Sequence, residues 1–298
     1  MVGDRLDVMV VGSCNLDLVV DVDHHPGPGE TVLGGELAQH PGGKGANQAV
    51  AAARLGVRTG MVGCVGEDDA GLLLLDELRS AGVDTLGVRR VAATPSGAAF
   101  IAVDRAGENT IVVSPGANSC LESGEVAAAV EERPAAVLLV QLEIPESAVE
   151  AAVRSAGGMV VLNPAPARFL PTTVVEQVDV LVPNQHELAA LTDRPALHSI
   201  HDIVDAALQL PAGSVVVTLG ASGSVVVSGG DWLHVPAAEV VPVDTTAAGD
   251  AFCGALAASL SRARSLEEAV QYANRAAGVA VSRHGGQPSL PTPTDLPS

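Results

Sequence analysis

Short, nearly unbroken runs of Val, Leu and Ile constrain this chain more than any other feature. Residues 8–11, 59–62, 136–139, 159–162, 178–182, 214–218 and, less clearly, 224–227 show little of the polar alternation of a half-exposed strand. They read as strands covered on both faces, which excludes a one-sided sheet. Between most of them lie segments of helical period: 46–55, 70–81, 123–132, 145–155, 187–191 and 203–210. Strand, helix, strand repetition with both faces covered is the doubly wound α/β pattern, a mostly parallel sheet flanked by helices. Two stretches break the rhythm. Residues 16–23 with 30–39, and then 94–113, alternate as strands do and are punctuated by Pro26-Gly27-Pro28-Gly29 and by Arg105-Ala106-Gly107-Glu108. They predict a small antiparallel sheet inserted into a single unit spanning 1–298, its strands within 16–39 and 94–113. A sheet open on one face needs a ligand, the main unit or a second copy to cover it. Two helical patterns, 249–261 and 266–281, and a Pro-rich tail from Pro288 end the chain.

Composition narrows the function. With 16 Lys and Arg against 35 Asp and Glu in 298 residues, the net charge of −19 disfavours a nucleic-acid backbone or an anionic membrane as partner. One Trp, one Tyr and three Phe leave too few aromatics to stack bases or to belt a bilayer. Cys14, Cys64, Cys120 and Cys253 are scattered without metal or disulfide spacing, as suits small buried residues of a reducing compartment. The first apolar run, behind Asp4 and Asp7, is too short for a secretory signal, and no run approaches membrane-spanning length. A cytoplasmic enzyme of small molecules is the expectation.

Asn15 and Asp17 follow the first strand directly, at the carboxyl end where open α/β sheets bind ligands. An amide and a carboxylate there suit adjacent sugar hydroxyls, and equally an Asx turn. Gly42-Gly43-Lys44-Gly45-Ala46-Asn47 precedes a helix but fails the Walker A pattern, since Ala38 stands where a Gly is needed and Gly45 follows Lys44. Its glycines could let backbone approach a ligand, with Lys44 at an anion-attracting helix start, or could simply turn the chain. In Asp244-Thr245-Thr246-Ala247-Ala248-Gly249-Asp250, the amides of Ala247, Ala248 and Gly249 would lie unpaired at a helix start and form an anion hole, with Asp250 in the first turn as a base. Helix capping by Thr246 or Asp250 is the alternative.

Gly43 to Asn47, Asn163-Pro164-Ala165-Pro166-Ala167, Pro183-Asn184 with Glu187, and Asp244 to Asp250 occur in order across nearly the whole chain. Together they resemble the ribokinase-like carbohydrate kinases, the PfkB family. The resemblance implies an α/β unit with a β-sheet lid over the sugar, and a homodimer formed through that lid. It places sugar contacts on Asn15, Asp17, Gly43, Lys44, Asn47 and Glu143 and the catalytic base on Asp250. Without it, Glu143 would equally suit a solvated strand end. It implies ATP, with Asn184 and Glu187 positioning hydrated Mg2+ and the phosphates; a single carboxylate with retained water suffices for that ion. Thr218, Gly220, Ser222, Gly223 and Gly249 would hold the nucleotide. Gln185-His186 departs from the motif's usual acidic-polar pair, which implies tuning rather than loss. Asp244, Thr246, Ala280, Arg283, Gly285 and Ser289 match positions holding K+ mostly through backbone carbonyls, and Asn274 is a candidate adenine neighbour or an exposed helical Asn. The implied reaction is ATP-dependent phosphorylation of D-ribose at its 5-hydroxyl. A related kinase for deoxyribose, another sugar or a nucleoside is the alternative within the family, and a non-catalytic sensor the alternative outside it.

Overall fold

A computed structural model describes residues 5–296; residues 1–4, with Asp4, and 297–298, the ends of the expected single unit, lie outside the described residues. In chain order the strands are β1 (Leu6–Val11), β2 (Asn15–Asp21), β3 (Ala38–Gly42), β4 (Thr59–Gly66), β5 (Asp84–Val91), β6 (Gly97–Val103), β7 (Asn109–Ser114), β8 (Ala135–Gln141), β9 (Met159–Asn163), β10 (Val180–Leu181), β11 (Ser214–Thr218), β12 (Ser224–Ser228) and β13 (Asp231–Val235). The helices are α1 (Lys44–Arg54), α2 (Asp69–Ser80), α3 (Ser123–Glu132), α4 (Glu146–Ser155), α5 (Thr172–Val175), α6 (Gln185–Leu191), α7 (Ile200–Ala207), α8 (Ala248–Leu260) and α9 (Leu266–Val281).

Successive side chains of a strand point to opposite faces, so a strand apolar throughout must be covered twice. In β1, Val8 and Val10 enter one core with α1, α2, α8 and α9, while Met9 and Val11 enter another with α3, α4, α6 and α7. The main sheet runs β13-β12-β11-β10-β9-β8-β1-β4-β5, parallel from β5 to β11 and antiparallel at β12 and β13. The mostly parallel, doubly wound architecture follows. Because β1 sits between β8 and β4, successive connections leave its two sides, and the crevice at its carboxyl end is where such sheets bind ligands.

From that end rises a second sheet, β3-β2-β6-β7. Its outer pairs are antiparallel, but β2 and β6 pair parallel, from Asn15 opposite Gly97 to Asp21 opposite Val103, which corrects the wholly antiparallel expectation. The reason is topological: β2 continues from β1 and β6 from β5, and both parent strands end at the same edge. The expected strand over 30–39 also shifts, to Ala38–Gly42, because Pro26, Pro28 and the glycines of 27–35 interrupt the ladder before it. The run 178–182 yields only Val180–Leu181 as strand, although Asp179 and Val182 continue the backbone bonds to β9. β5 and β13 lacked a sequence signal because they are the two edges of the main sheet, where polar residues are admitted.

The contact between α1 and α8 is unusually close. A Cβ on Gly254 would lie 2.5 Å from Ala51 Cβ and 2.7 Å from Gln48 O. Only a glycine lets the two helices meet there, and this fixes the first turn of α1 against that of α8. Gly254→Val is therefore expected to lower unfolding free energy by about 1–3 kcal/mol in urea titrations, the usual cost of overpacking. Gly124→Ala in α3, whose Cβ would meet nothing within 4 Å, should not destabilise; equal losses in both variants would refute the packing argument.

Candidate active site

The turn from β1 into β2, residues 12–15, is the floor of the site. Gly43 caps α1 with φ 86°, and a Cβ on it would lie 2.7 Å from Asn15 N. A Cβ on Gly45 would lie 2.5 Å from Ser13 N. At these two positions the missing side chains admit the chain's own 12–15 corner. Gly42 does the same for Asp17, whose Oδ2 lies 2.1 Å from where a Cβ would stand. Lys44 is the first residue of α1. Its backbone N–H donates to Glu143 Oε2 at 3.1 Å, and Ser13 Oγ donates to the same oxygen at 2.6 Å. Glu143 is thus tied to the corner and is no solvated strand end. Asn15 is buried, with Oδ1 accepting from Asn118 Nδ2 at 2.7 Å; Asn118 also bonds both backbone groups of Cys14. Among the described residues Asn15 Nδ2 meets no partner, so a donor remains.

Asp250 lies buried in the first turn of α8. Its Oδ2 accepts from Asn47 Nδ2 and its Oδ1 from Gln48 Nε2, both at 2.9 Å. Burial pushes its carboxyl above the ordinary range, against Lys44 and the two amide donors, which favour the charged form. The cap of α8 is Ala247, held left-handed at φ 59°, with no side chain bonding the helix start. Neither Thr246 nor Asp250 caps. The three-amide anion hole needs one correction: Ala248 N–H bonds Thr245 O at 3.3 Å, whereas the N–H groups of Ala247 and Gly249 meet no acceptor among the described residues. The bend at Ala247 forces that weak turn bond.

Asp17, Lys44, Glu143, Glu187 and Asp250 form one electrostatic group. Burial first, then Glu143 and Asp250, push the Asp17 carboxyl up to about 7, with Lys44 opposing. Burial pulls Lys44 down, but Asp250, Glu143 and Glu187 together take it above its usual value. One lysine therefore holds a knot of carboxylates, and polar hydroxyl donors entering it would relieve their repulsion.

On the neighbouring strand ends, Asn184 caps α6 by accepting from Glu187 N–H, and Glu187 Oε2 accepts from Asn184 N–H, both at 2.8 Å. The other oxygen of this half-buried carboxylate meets no hydrogen-bond partner among the described residues, and burial, the largest influence, takes its carboxyl above the ordinary range. That donor set fits a hydrated Mg2+. Asn184 also bridges to Thr218 at the end of β11, and the chain then makes a tight turn through Gly220 and Ser222 to Gly223, where φ is 88° and a Cβ would lie 2.1 Å from Val235 O. Asn274, buried rather than exposed, donates to Val235 O and Pro236 O and accepts from Ser224 Oγ. It braces the wall of a cavity of about 380 Å³ lined also by Leu233, Ala238 and Gln271. Beside α8, Asp244 accepts from Thr246 N–H and Gly285 N–H; these bonds hold it below the usual carboxylate range against its burial. Arg283 turns to Asp295, and Ser289 Oγ donates to Gly286 O, so both side chains are engaged within the chain. An anionic Asp244 that ties the Thr246 and Gly285 segments together is a donor set that fits a monovalent cation. Sequence reasoning missed Ser13, Gln48, Asn118 and Gln141; the one signal available was Gln48, a polar residue directly ahead of the apolar run Ala49-Val50-Ala51-Ala52-Ala53 of α1.

The profile of the pfkB family of carbohydrate kinases matches residues 5–293. The chain is 40% identical over 294 residues to a ribokinase of Bacillus subtilis, covering 97% of this chain and 98% of that one. Among solved structures, a ribokinase of Thermotoga maritima superposes with a TM-score of 0.90 at 38% identity, covering 98% of both chains. An Arabidopsis thaliana ribokinase complexed with ribose and ATP superposes with a TM-score of 0.87 at 31% identity, covering 98% of this chain and 97% of that one.

The raised Asp17 carboxyl makes a stability prediction. The folded chain keeps that proton to about pH 7, whereas an unfolded Asp loses it near 3.8. Between those values the folded state binds more protons, so stability is highest below the lower one and declines as pH rises through the upper one. Asp250 and Glu187, also raised, act in the same sense. Urea-unfolding midpoints of the ligand-free protein should fall from pH 5 to pH 8, and less steeply in Asp17→Asn; a flat or rising wild-type profile would contradict this.

Proposed function

Because the chain belongs to the pfkB family of carbohydrate kinases, we infer that this site transfers the γ-phosphoryl group of ATP to the 5-hydroxyl of D-ribose, giving ribose 5-phosphate and ADP. The observation that carries the reading is a buried carboxylate, Asp250, in the same helical turn as the unpaired N–H groups of Ala247 and Gly249. A base and an anion-binding helix start side by side are what a hydroxyl attacking a phosphoryl group requires.

Phosphoryl transfer needs alignment and charge neutralisation more than covalent help. Asn15, Asp17, Gly43, Lys44, Asn47 and Glu143 bind the sugar. Asp17 and Glu143 accept from its hydroxyls, Asn15 Nδ2 donates to one, and Gly43 shapes the corner. Asp250, both of whose oxygens already accept one amide, keeps lone pairs free for the 5-hydroxyl proton. As the oxygen bonds to phosphorus and ADP leaves, that proton passes to Asp250. The Ala247 and Gly249 amides and the Lys44 ammonium hold the charge on the phosphoryl oxygens, with Ala248 completing the bend. Thr218, Gly220, Ser222 and Gly223 cradle the nucleotide, and Asn274 walls the adenine cavity. Glu187 with Asn184 would hold Mg2+ through water, which supplies further neutralisation of the phosphates. K+ would lie among the carbonyls of Thr246, Ala280, Arg283, Gly285 and Ser289 beside Asp244. The −19 net charge opposes ATP at long range, but screening beyond about 8 Å leaves these local donors in control.

The chain works as a single unit in which the second sheet is a lid that excludes water from the transfer. Phe100 and Val112, opposite each other on it, are 53% and 63% exposed, and a second lid packed on that face would cover them in a homodimer. Among the described residues no helix is long and apolar enough to cross a membrane; the cytoplasm is the proposed location.

ATP turnover with purified protein, Mg2+ and K+ tests the assignment. Ribose should be used, and 2-deoxyribose should be poorer by roughly tenfold to a hundredfold in kcat/KM, since polar groups built for the missing hydroxyl are left unpaired. Equal turnover of both would widen the assignment to pentoses generally. Asp250→Asn should lose about 10² to 10⁴ in kcat while ribose and ATP still bind; near-normal turnover would reject the base. Replacing K+ by Na+ should slow the wild type at subsaturating ATP and ribose, and an unchanged rate would reject the cation loop.

A further inference from the structure

Behind Asp250 lies a chain of buried amides that the reaction as described does not use. Asn163 Nδ2 donates to the backbone carbonyl of Val182 at 2.9 Å, which leaves Asn163 Oδ1 as an acceptor. That oxygen accepts from Gln48 Nε2 at 3.1 Å, and Gln48 Oε1 accepts from Gln141 Nε2 at 2.7 Å. Both ends of the Gln48 amide are thereby fixed, and its remaining N–H has one direction left, to Asp250 Oδ1 at 2.9 Å. Gln48 and Gln141 are fully buried, and a Cβ on Gly12 would lie 1.9 Å from Gln141 Oε1, so the amide fits only because position 12 is glycine. A core that needed only volume would be apolar here, since buried amides are costly, and Gln141 bears that cost in full: its Oε1 is buried without a partner while its Nε2 donates to Gln48.

We propose that Gln48, oriented by Asn163 and Gln141, is the positioning residue that holds Asp250 ionised and turned to receive the 5-hydroxyl proton. This rests on the kinase reading above. The relay starts at a main-chain carbonyl of the strand-to-helix connection before α6 and crosses β9 and α1 to the base on α8. It thus sets the amide's polarity without any titratable member. Lys44, Asp17, Glu143, Glu187 and Cys253 are the titratable groups that act on Asp250, and Gln48 replaces none of them.

The test is the pH profile of kcat at saturating ribose and ATP for Gln48→Leu, Gln141→Leu and the double variant. Removing a donor to the charged carboxylate raises the pH at which it ionises, so the acid limb should move up by about one unit in Gln48→Leu, with kcat about tenfold lower on that limb and ribose KM within about threefold. Gln141→Leu should shift the limb in the same direction by less. The double variant should match Gln48→Leu, because Gln141 acts through Gln48. Rates lowered equally at every pH, or effects of the two substitutions that add, would assign the amides to packing and overturn the proposal. If Gln48→Leu does not fold, an unmoved acid limb in Gln141→Leu overturns it alone. A wild type that does not turn over ribose would instead refute the kinase reading.

Discussion

A carboxylate buried between two helices is the condition to which the rest of this molecule answers. Asp250 has lost most of its hydration, and only the amides of Asn47 and Gln48 and the charge of Lys44 compensate. All three come from the first turn and a half of α1. They reach it because Gly254 lets α1 lie against α8, and because Gly43 and Gly45 let the start of α1 sit on the 12–15 corner. Moving either contact by a side chain's width would leave a buried charge with one donor or none, which costs far more than the packing itself.

The same geometry explains why an acidic chain gathers still more acid at its site. Sugar hydroxyls need acceptors, and carboxylates accept without competing as donors. Glu143 and Asp250 push the Asp17 carboxyl up, Glu143 does the same to Asp250, and Lys44 opposes both. The ligand-free site therefore stores repulsion that, on the proposed reading, hydroxyl donors and a phosphate-bound cation would relieve. Stability is given up at the place where binding regains it.

Most of the architecture was legible in the sequence because two-sided burial writes itself as unbroken Val and Leu. Runs 8–11, 136–139 and 214–218 became β1, β8 and β11 for that reason. Edges write no such signal: β5 and β13 face water along one side, and β3 slipped past its expected start because loop glycines look like strand punctuation. In the site, Asn15, Lys44, Glu143 and Asp250 were legible through chemistry adjacent to a strand end or helix start. Gln48, Gln141 and Asn118 were not. Each acts on another protein group across at least 93 residues of sequence, and no local pattern encodes a partner that distant.

The parallel pairing of β2 with β6 has a consequence of its own. Both strands leave the same edge of the main sheet, so the second sheet joins it where Asn15 and Gly97 face each other, which is the hinge of the proposed lid. Asn118, in the turn after β7, crosses that hinge to bond Asn15 Oδ1 and both backbone groups of Cys14. A Cβ on Gly97 would lie 2.2 Å from Asn15 Oδ1 and 2.3 Å from Asn118 Nδ2, so the hinge is packed as tightly as the core. Any movement of the lid must therefore bend the strands above this knot rather than slide them past it. On the proposed reading, the residues assigned to the sugar would stay in place while the sheet beyond them closes.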